Sequence, residues 1–214
     1  MIVTKSFVKA LYRKRPKKSH KGQYGKLLIV GGSKLYSGSP ALAGLAALRT
    51  GTDLVTIAAP ERAANIIATF SPDLITWPLK GDWLCPKHVE EIEELAQNAR
   101  AMLIGNGIGH RSETLKAVRA LQNLGLPCVL DADALRAVEN AQIITPHARE
   151  FERITGSPPP ENLREREKAV KNLARDLGCV VLLKGNIDVI SDGRKILLNR
   201  TGSPYMTKGG TGDT

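Results

Sequence analysis

The sequence predicts an α/β fold on a mostly parallel sheet, with an antiparallel edge near the C-terminus. Two observations carry this. Short apolar runs that end in glycine or polar residues alternate with longer Ala/Leu-rich or amphipathic segments, the pattern of strands separated by helices. Strands joined through helices run parallel and are covered on both faces. Near the C-terminus, three apolar runs instead follow one another with only Gly185-Asn186 and Asp192-Gly193 between them, which is hairpin spacing.

The elements follow in order. Lys26–Val30 runs into Gly31-Gly32 and reads as a buried strand. Pro40–Arg49 begins with Pro after Ser39 and is rich in Ala and Leu, which suits a helix start. Asp53–Ala59 is the next strand, and Pro86–Arg100, with Glu90, Glu91, Glu93 and Glu94, the next clear helix. Ala101–Gly105, Cys128–Asp131 and Gln142–Thr145 follow as strands, with helices at about 112–123 and 132–138 between them. Pro160–Leu177 is a long charged amphipathic helix, and Cys179–Lys184, Ile187–Ser191 and Lys195–Asn199 form the antiparallel edge. No repeat, linker or low-complexity tract interrupts the pattern. A single domain at 26–214, preceded by a basic lead-in at 1–25, is therefore expected.

Composition narrows the class. The 214 residues are 42% apolar and 24% charged, ordinary for a globular chain long enough to bury a core without staples. Runs such as Leu27–Val30 and Val180–Leu183 fall far short of the ~20 residues of a membrane span, and the N-terminus lacks the apolar region of a signal peptide. Cys85, Cys128 and Cys179 are scattered without a CxxC. Cys128 and Cys179 sit in apolar runs, where a reduced, buried thiol is expected. A cytoplasmic protein that does not span a membrane is the expectation.

The net charge of +10 resembles a nucleic-acid signal until it is located. Residues 1–26 carry nine Lys/Arg and no acid, so residues 27–214 hold 22 bases against 21 acids. The charge belongs to the segment around Arg13–Lys21. It reads either as an arm for an anionic polymer or surface, or as a solvated lead-in that raises the potential near an anionic small-molecule site. Only nine aromatics occur in the chain, and no stacking surface accompanies the basic run, which argues against nucleic acid.

In a parallel sheet of this kind, ligands bind beyond the carboxyl ends of the strands. Polar and glycine clusters fall at those ends in succession: Gly31-Gly32-Ser33, Gly105-Asn106-Gly107, Asp131-Ala132-Asp133, Thr145-Pro146-His147, Lys184-Gly185-Asn186 and Gly209–Asp213. The last is the most informative. Consecutive glycines at Gly209 and Gly210, followed by Thr211 and Gly212, leave backbone N–H groups free to converge on an anion. The spacing is not that of a Walker A loop. A carboxylate directly after such a nest repels a static phosphate, so Asp213 makes sense as a base beside a phosphoryl group, accepting the proton of an attacking hydroxyl. The alternative is a plain glycine-rich loop with a helix-capping Asp. Gly105–Gly109 is no dinucleotide fingerprint, because His110 stands where the third glycine belongs; close backbone approach to a ligand is its expected use. His147 is either a ligand contact or an ordinary His, and Glu150 either holds a metal or caps the following helix. Asp131 and Asp133 could hold Mg²⁺ through water or serve as turn and cap residues, the second being favoured. Four His without a His/Cys cluster argue against zinc.

Taken together, His20–Gly25, Gly31-Gly32-Ser33, Tyr36–Ala43, Ala47–Thr56, Leu130–Leu135, Ile144–Phe151, Leu183-Lys184-Gly185 and Gly209–Asp213 resemble, in order, the motifs of the ADP/ATP-dependent (S)-NAD(P)H-hydrate dehydratases. The resemblance covers residues from about 19 to the end. It implies a ribokinase-like three-layer α/β/α sandwich and a repair lyase. Such an enzyme dehydrates the S epimer of NADHX or NADPHX at the expense of ADP or ATP, with Mg²⁺. Carried over, it makes Asp213 the base and a hydrate contact. Ser39, Pro40, Gly107 and His147 lie along the hydrate, and Lys184, Gly185, Asn186, Ile187 and Asp188 along the adenine nucleotide with Gly209, Gly210, Thr211 and Gly212. Glu150 is the candidate metal ligand. The resemblance also implies a homo-oligomer, a tetramer.

Three departures stand out. Asn106 occupies a position where the family commonly has Pro, and Ala148-Arg149 replace a common Pro-Gly; both read as loop changes. The family continues from its GTGD motif into a helix, whereas the sequence ends at Thr214, so a C-terminally truncated form without the separate epimerase domain is expected. The rival readings are a ribokinase-like kinase of a vitamin precursor, using the same Asp213 chemistry but keeping the phosphorylated product, and a nucleic-acid-binding protein using residues 13–26.

Overall fold

A strand that hydrogen-bonds on both edges and packs on both faces has no side left for water, and Leu28, Ile29 and Val30 are each at most 1% exposed. The computed structural model describes residues 1–12 and 14–214. Arg13, at the start of the basic run, lies outside the described residues. In chain order the elements are α1 (Lys5–Leu11), β1 (Lys26–Val30), α2 (Gly38–Thr50), β2 (Leu54–Pro60), α3 (Glu61–Ile67), β3 (Ile75–Leu79), α4 (Val89–Ala96), β4 (Ala101–Ile104) and α5 (Ser112–Leu121). They continue as β5 (Cys128–Leu130), β6 (Ile143–Ile144), α6 (Ala148–Thr155), α7 (Leu163–Leu177), β7 (Val180–Leu183), β8 (Asp188–Ser191) and β9 (Ile196–Asn199). The chain forms two compact units, Lys21–Ala141 with Lys208–Thr214, and Met1–His20 with Gln142–Thr207.

In the first unit the strand order is β3-β2-β1-β4-β5, every pair parallel. Because successive strand residues point to opposite faces, each strand feeds two cores. Ile29, Val55, Ile57 and Ala59 pack on one face with Ala41 and Ala43 of α2 and Ala63, Ala64 and Ile67 of α3. Leu28, Val30, Met102 and Ile104 belong to the other face and are as fully buried. The small residues of α2 let it lie close: a Cβ on Gly44 would sit 2.9 Å from Leu74 Cδ2 and 3.0 Å from Ile57 Cδ1. Its helix ends at Gly51, at φ 101°, where the amide bonds back to the last turn.

The second unit holds β6 and β7 as a parallel pair, then β7-β8-β9 as an antiparallel meander. The antiparallel edge is therefore where hairpin spacing put it. At the β8–β9 turn, backbone N–H groups of Lys195 and Arg194 hold the Asp192 carboxyl below its ordinary range. α7 starts at Leu163 rather than Pro160, because the Asn162 side chain accepts from the amides of Arg164 and Glu165. The lead-in is not featureless. Thr4 caps α1, Ile2 bridges to Leu198, and the Val3 amide donates to the Leu198 carbonyl at 2.8 Å. Cys128 and Cys179 are buried thiols outside any disulfide, as their apolar runs require, and burial pushes the Cys179 thiol up to about 11.

Differences from the sequence expectation are local. The segment expected as a helix at 132–138 is a 3-10 turn, Ala132–Arg136. α3 and β3 carry too few residues for a clear period, and β3 contains Pro78, a residue tolerated in a strand that pairs on one side only. No helix among the described residues is long and apolar enough to cross a membrane.

Candidate active site

In the first unit, β1, β4 and β5 end side by side, and the glycines that follow are there because backbones meet. A Cβ on Gly31 would lie 2.9 Å from the Asn106 carbonyl oxygen and 2.9 Å from Pro40 Cβ. The Gly32 amide donates to that same carbonyl at 2.7 Å. A Cβ on Gly107, at φ 72°, would fall 2.7 Å from Tyr36 Cβ. These contacts lock the first turn of α2, with Ser39 and Pro40, against the loop that leaves β4.

Asp213 is drawn into this cluster from the far end of the sequence. Its Oδ1 accepts from Ser39 Oγ and from Asn106 Nδ2, the latter at 2.7 Å. Asn106 Nδ2 also lies 3.4 Å from Asp131 Oδ2, and Asp131 is 5% exposed. Asp213 Oδ2 accepts no hydrogen bond from the described residues. One carboxylate oxygen is thus held by two donors while the other stays open, an arrangement suited to taking a proton in one direction. The glycine loop before it turns through Gly210 at φ 87°, where a Cβ would meet Leu42 Cδ1 at 2.7 Å. The amides of Thr211 and Asp213 bond within the loop, to Lys208 and Gly210. Those of Gly209 and Gly210 donate to no acceptor among the described residues, which leaves two N–H groups for an anion.

Three buried polar atoms of this unit have no hydrogen-bond partner among the described residues: Ser33 Oγ, Asn106 Oδ1 and Thr211 Oγ1. Buried polar atoms are nearly always paired. These three lie on the loops after β1 and β4 and on the glycine loop before Asp213, and atoms of this kind are completed by ordered water or by a polar ligand. Asp133 is occupied otherwise, its Oδ2 accepting from the Gly109 amide at 3.0 Å, the structural role favoured from sequence. No group of three His, Cys, Asp or Glu that could hold a metal occurs among the described residues. The carboxylate of Asp131 and the hydroxyls of Ser33 and Thr211 are hard oxygen donors. Such a set fits an ion like Mg²⁺ that keeps its waters and is shared with phosphates, and does not form a protein cage.

The remaining candidates stand in the second unit. His147 is the N-cap of α6: its Nδ1 accepts from the amides of Arg149 and Glu150 at 3.1 and 3.3 Å. An Nδ1 acceptor puts the ring proton of a neutral His on Nε2. Glu150 returns the cap, with Oε2 accepting from the His147 amide at 2.8 Å and Oε1 3.4 Å from His147 Nε2. The end of β7 is tied to the end of β6 by the Lys184 amide, which donates to the Pro146 carbonyl at 2.9 Å. Beyond it Asp188 braces the hairpin, its Oδ1 accepting from the Gly185 amide at 3.0 Å and its Oδ2 from Asn199 Nδ2 at 2.9 Å. Asn186 Oδ1 accepts from the Ile187 amide.

Sequence reasoning put Ser39 and Asp213 among the site residues, and the fold joins them. It read Asn106 as a loop change, although Asn106 links Asp213 to Asp131, and it passed over the Ser33 side chain. Nothing local marks either residue except its place between glycines after a strand.

Comparison with known proteins supplies context for this geometry. The sequence profile of the NAD(P)H-hydrate dehydratase family matches residues 27–214. The chain is 48% identical over 203 residues to a bifunctional NAD(P)H-hydrate repair enzyme Nnr of Pyrobaculum aerophilum, across 91% of this chain and 40% of that protein. It thus spans about two-fifths of the length of the bifunctional relatives. It is 40% identical over 208 residues to an ADP-dependent (S)-NAD(P)H-hydrate dehydratase of Cenarchaeum symbiosum, across 93% of this chain and 72% of that one. Among solved structures, it is similar to the ADP/ATP-dependent NAD(P)H-hydrate dehydratase from Bacillus subtilis co-crystallized with ATP/Mg²⁺. The TM-score is 0.82, with 32% identity over 98% of this chain and 76% of that chain.

Proposed function

From the premise that the chain belongs to the NAD(P)H-hydrate dehydratase family, we propose that it removes water from the S epimer of NADHX or NADPHX at the expense of ADP or ATP. The observation that carries this reading is Asp213, fixed on one oxygen by Ser39 and Asn106, open on the other, and placed directly after a glycine loop with unused amides. Asp213 Oδ2 takes the proton of the C6 hydroxyl. The freed oxygen attacks the terminal phosphoryl group of the nucleotide, the bond from that phosphorus to the bridging oxygen breaks, and AMP (from ADP) or ADP (from ATP) leaves. The amides of Gly209 and Gly210 stabilise the charge that develops on the transferring group. The C6–O bond then breaks with the ring-nitrogen lone pair assisting, inorganic phosphate departs, and loss of a C5 proton restores the dihydronicotinamide. Mg²⁺ would be held through Asp131 and the nucleotide phosphates, where it neutralises phosphate charge. Ser39, Pro40, Gly107 and His147 are assigned to the hydrate, and Lys184–Asp188 with Gly209–Gly212 to the nucleotide. A cytoplasmic homotetramer completes the reading, and light scattering tests that state.

The deciding experiment follows absorbance at 340 nm after NADHX, ADP or ATP, and Mg²⁺ are mixed with the protein. Recovery of absorbance that requires the nucleotide supports the reading. A stable phosphorylated alcohol formed from a thiazole or pyrimidine substrate, without recovery of NADH, overturns it.

The nucleotide assignment makes a separable prediction. A Cβ on Gly185 meets nothing nearer than the Ile187 carbonyl at 3.4 Å, so a side chain can leave the backbone there, and Gly185→Val tests the assignment. The branched side chain should weaken ADP binding by about tenfold or more while leaving hydrate binding unchanged. Calorimetry with each ligand checks this, and undiminished ADP affinity would contradict the assignment.

A further inference from the structure

Asn106 is 1% exposed, and its two amide atoms lead different lives. Nδ2 donates to Asp213 Oδ1 at 2.7 Å and lies 3.4 Å from Asp131 Oδ2. Ionised carboxylates only accept hydrogen bonds. The orientation of an Asn amide is an assignment to be argued from its neighbours, and here the neighbours decide it. Turned over, the amide would set a carbonyl oxygen against two carboxylates. Oδ1 therefore faces away from both, where it is buried and receives no donor from the described residues. Burying a carbonyl without a donor is unfavourable, and such an atom is completed by a ligand or by an ordered water that the ligand replaces. The completing atom must carry a hydrogen. Phosphate oxygens of a nucleotide do not, whereas the hydrated pyridine carboxamide and its ribose carry N–H and O–H donors.

We propose that Asn106 serves both the base and the substrate: Nδ2 positions the Asp213 carboxylate, and Oδ1 accepts a hydrogen bond from an N–H or O–H of the hydrated nicotinamide nucleotide. This rests on the dehydratase reading. Ser39 and Asn106 together occupy Asp213 Oδ1, which turns Oδ2 toward the hydroxyl that loses its proton. Asn106 thus acts on the chemical step through Asp213 and on binding directly.

The two roles separate in a mutant cycle. Asn106→Leu, which removes donor and acceptor at similar size, should lower kcat about ten- to a hundredfold and raise KM for NADHX about tenfold, with KM for ADP within about twofold. Added to Asp213→Asn and followed by single-turnover kinetics, the same change should alter the rate by less than about threefold, because the group it positions is already gone. The weakened hydrate binding should persist. Asn106→Ala removes donor and acceptor without adding bulk, so the same loss of rate and rise in KM for NADHX are expected of it; it stands in if Asn106→Leu does not fold. A rate loss that multiplies in full on Asp213→Asn indicates a merely structural role and overturns the proposal, as does an unchanged KM for NADHX in Asn106→Leu. Active variants of an active wild type sink this proposal alone. A wild type that does not turn over NADHX sinks the dehydratase reading and this proposal with it.

Discussion

Replacing Asp213 with Asn is expected to lower kcat by roughly 10²–10⁴ with little change in nucleotide affinity. The substitution preserves size and one oxygen but removes the proton acceptor, and an amide cannot take a proton at neutral pH. It also reverses the pairing with Asn106, whose Nδ2 stands 2.7 Å from Asp213 Oδ1. If the new amide presents nitrogen there, two donors meet; if it presents oxygen, the geometry survives without the base. Either way the chemical step suffers while the amides of Gly209 and Gly210 remain. Pre-steady-state mixing with NADHX and ADP separates the two quantities. A variant turning over within a few-fold of wild type would remove Asp213 from the mechanism.

Gly105→Ala is expected to cost about 3 kcal/mol of stability or more, the largest effect foreseen for the addition of a single methyl group. Gly105 sits at φ 134°, a region closed to residues with a Cβ, and the added carbon would overlap the Asp131 carbonyl oxygen and approach Ala134 Cβ to 2.9 Å. Neither obstacle is a flexible side chain. The loop is also pinned by its own ladder, with the Gly105 amide donating to the Val30 carbonyl at 3.2 Å and the Asp131 amide to the Ile104 carbonyl at 3.1 Å. Strain there displaces Asn106 from both carboxylates, so surviving protein should also be catalytically poor. Gly38→Ala is the control: its Cβ would meet nothing within 4 Å and its φ is ordinary, so its stability should stay within about 0.5 kcal/mol. Urea unfolding of the two variants makes the comparison, and equal midpoints would mean that the loop gives way more easily than its packing indicates.

The legible part of this protein is the part whose cause is local in the chain. β1, β2, β4, β5 and β7 were visible as apolar runs because a strand buried on both faces must be apolar throughout. The antiparallel edge was visible because two-residue turns are a short-range signal, and Asp213 because a carboxylate after consecutive glycines is chemically odd wherever it lies. α1, α3 and β3 were not legible: α1 and α3 span seven residues each and β3 five, too short to display a period; α3 is held by burial of Ala63, Ala64 and Ile67, β3 by pairing with β2, and α1, which buries no residue, carries the Thr4 cap. His147 and Glu150 looked like a ligand contact and a metal candidate, and the fold adds a reciprocal helix cap between them. Asn106 is the clearest case. Its amide meets Asp213 across 107 positions of sequence, and that meeting depends on which strands lie side by side and where their ends fall. Hydrophobic pattern specifies that a strand exists and which way its faces point; strand order and the close approach of glycine backbones place one side chain within hydrogen-bond reach of another.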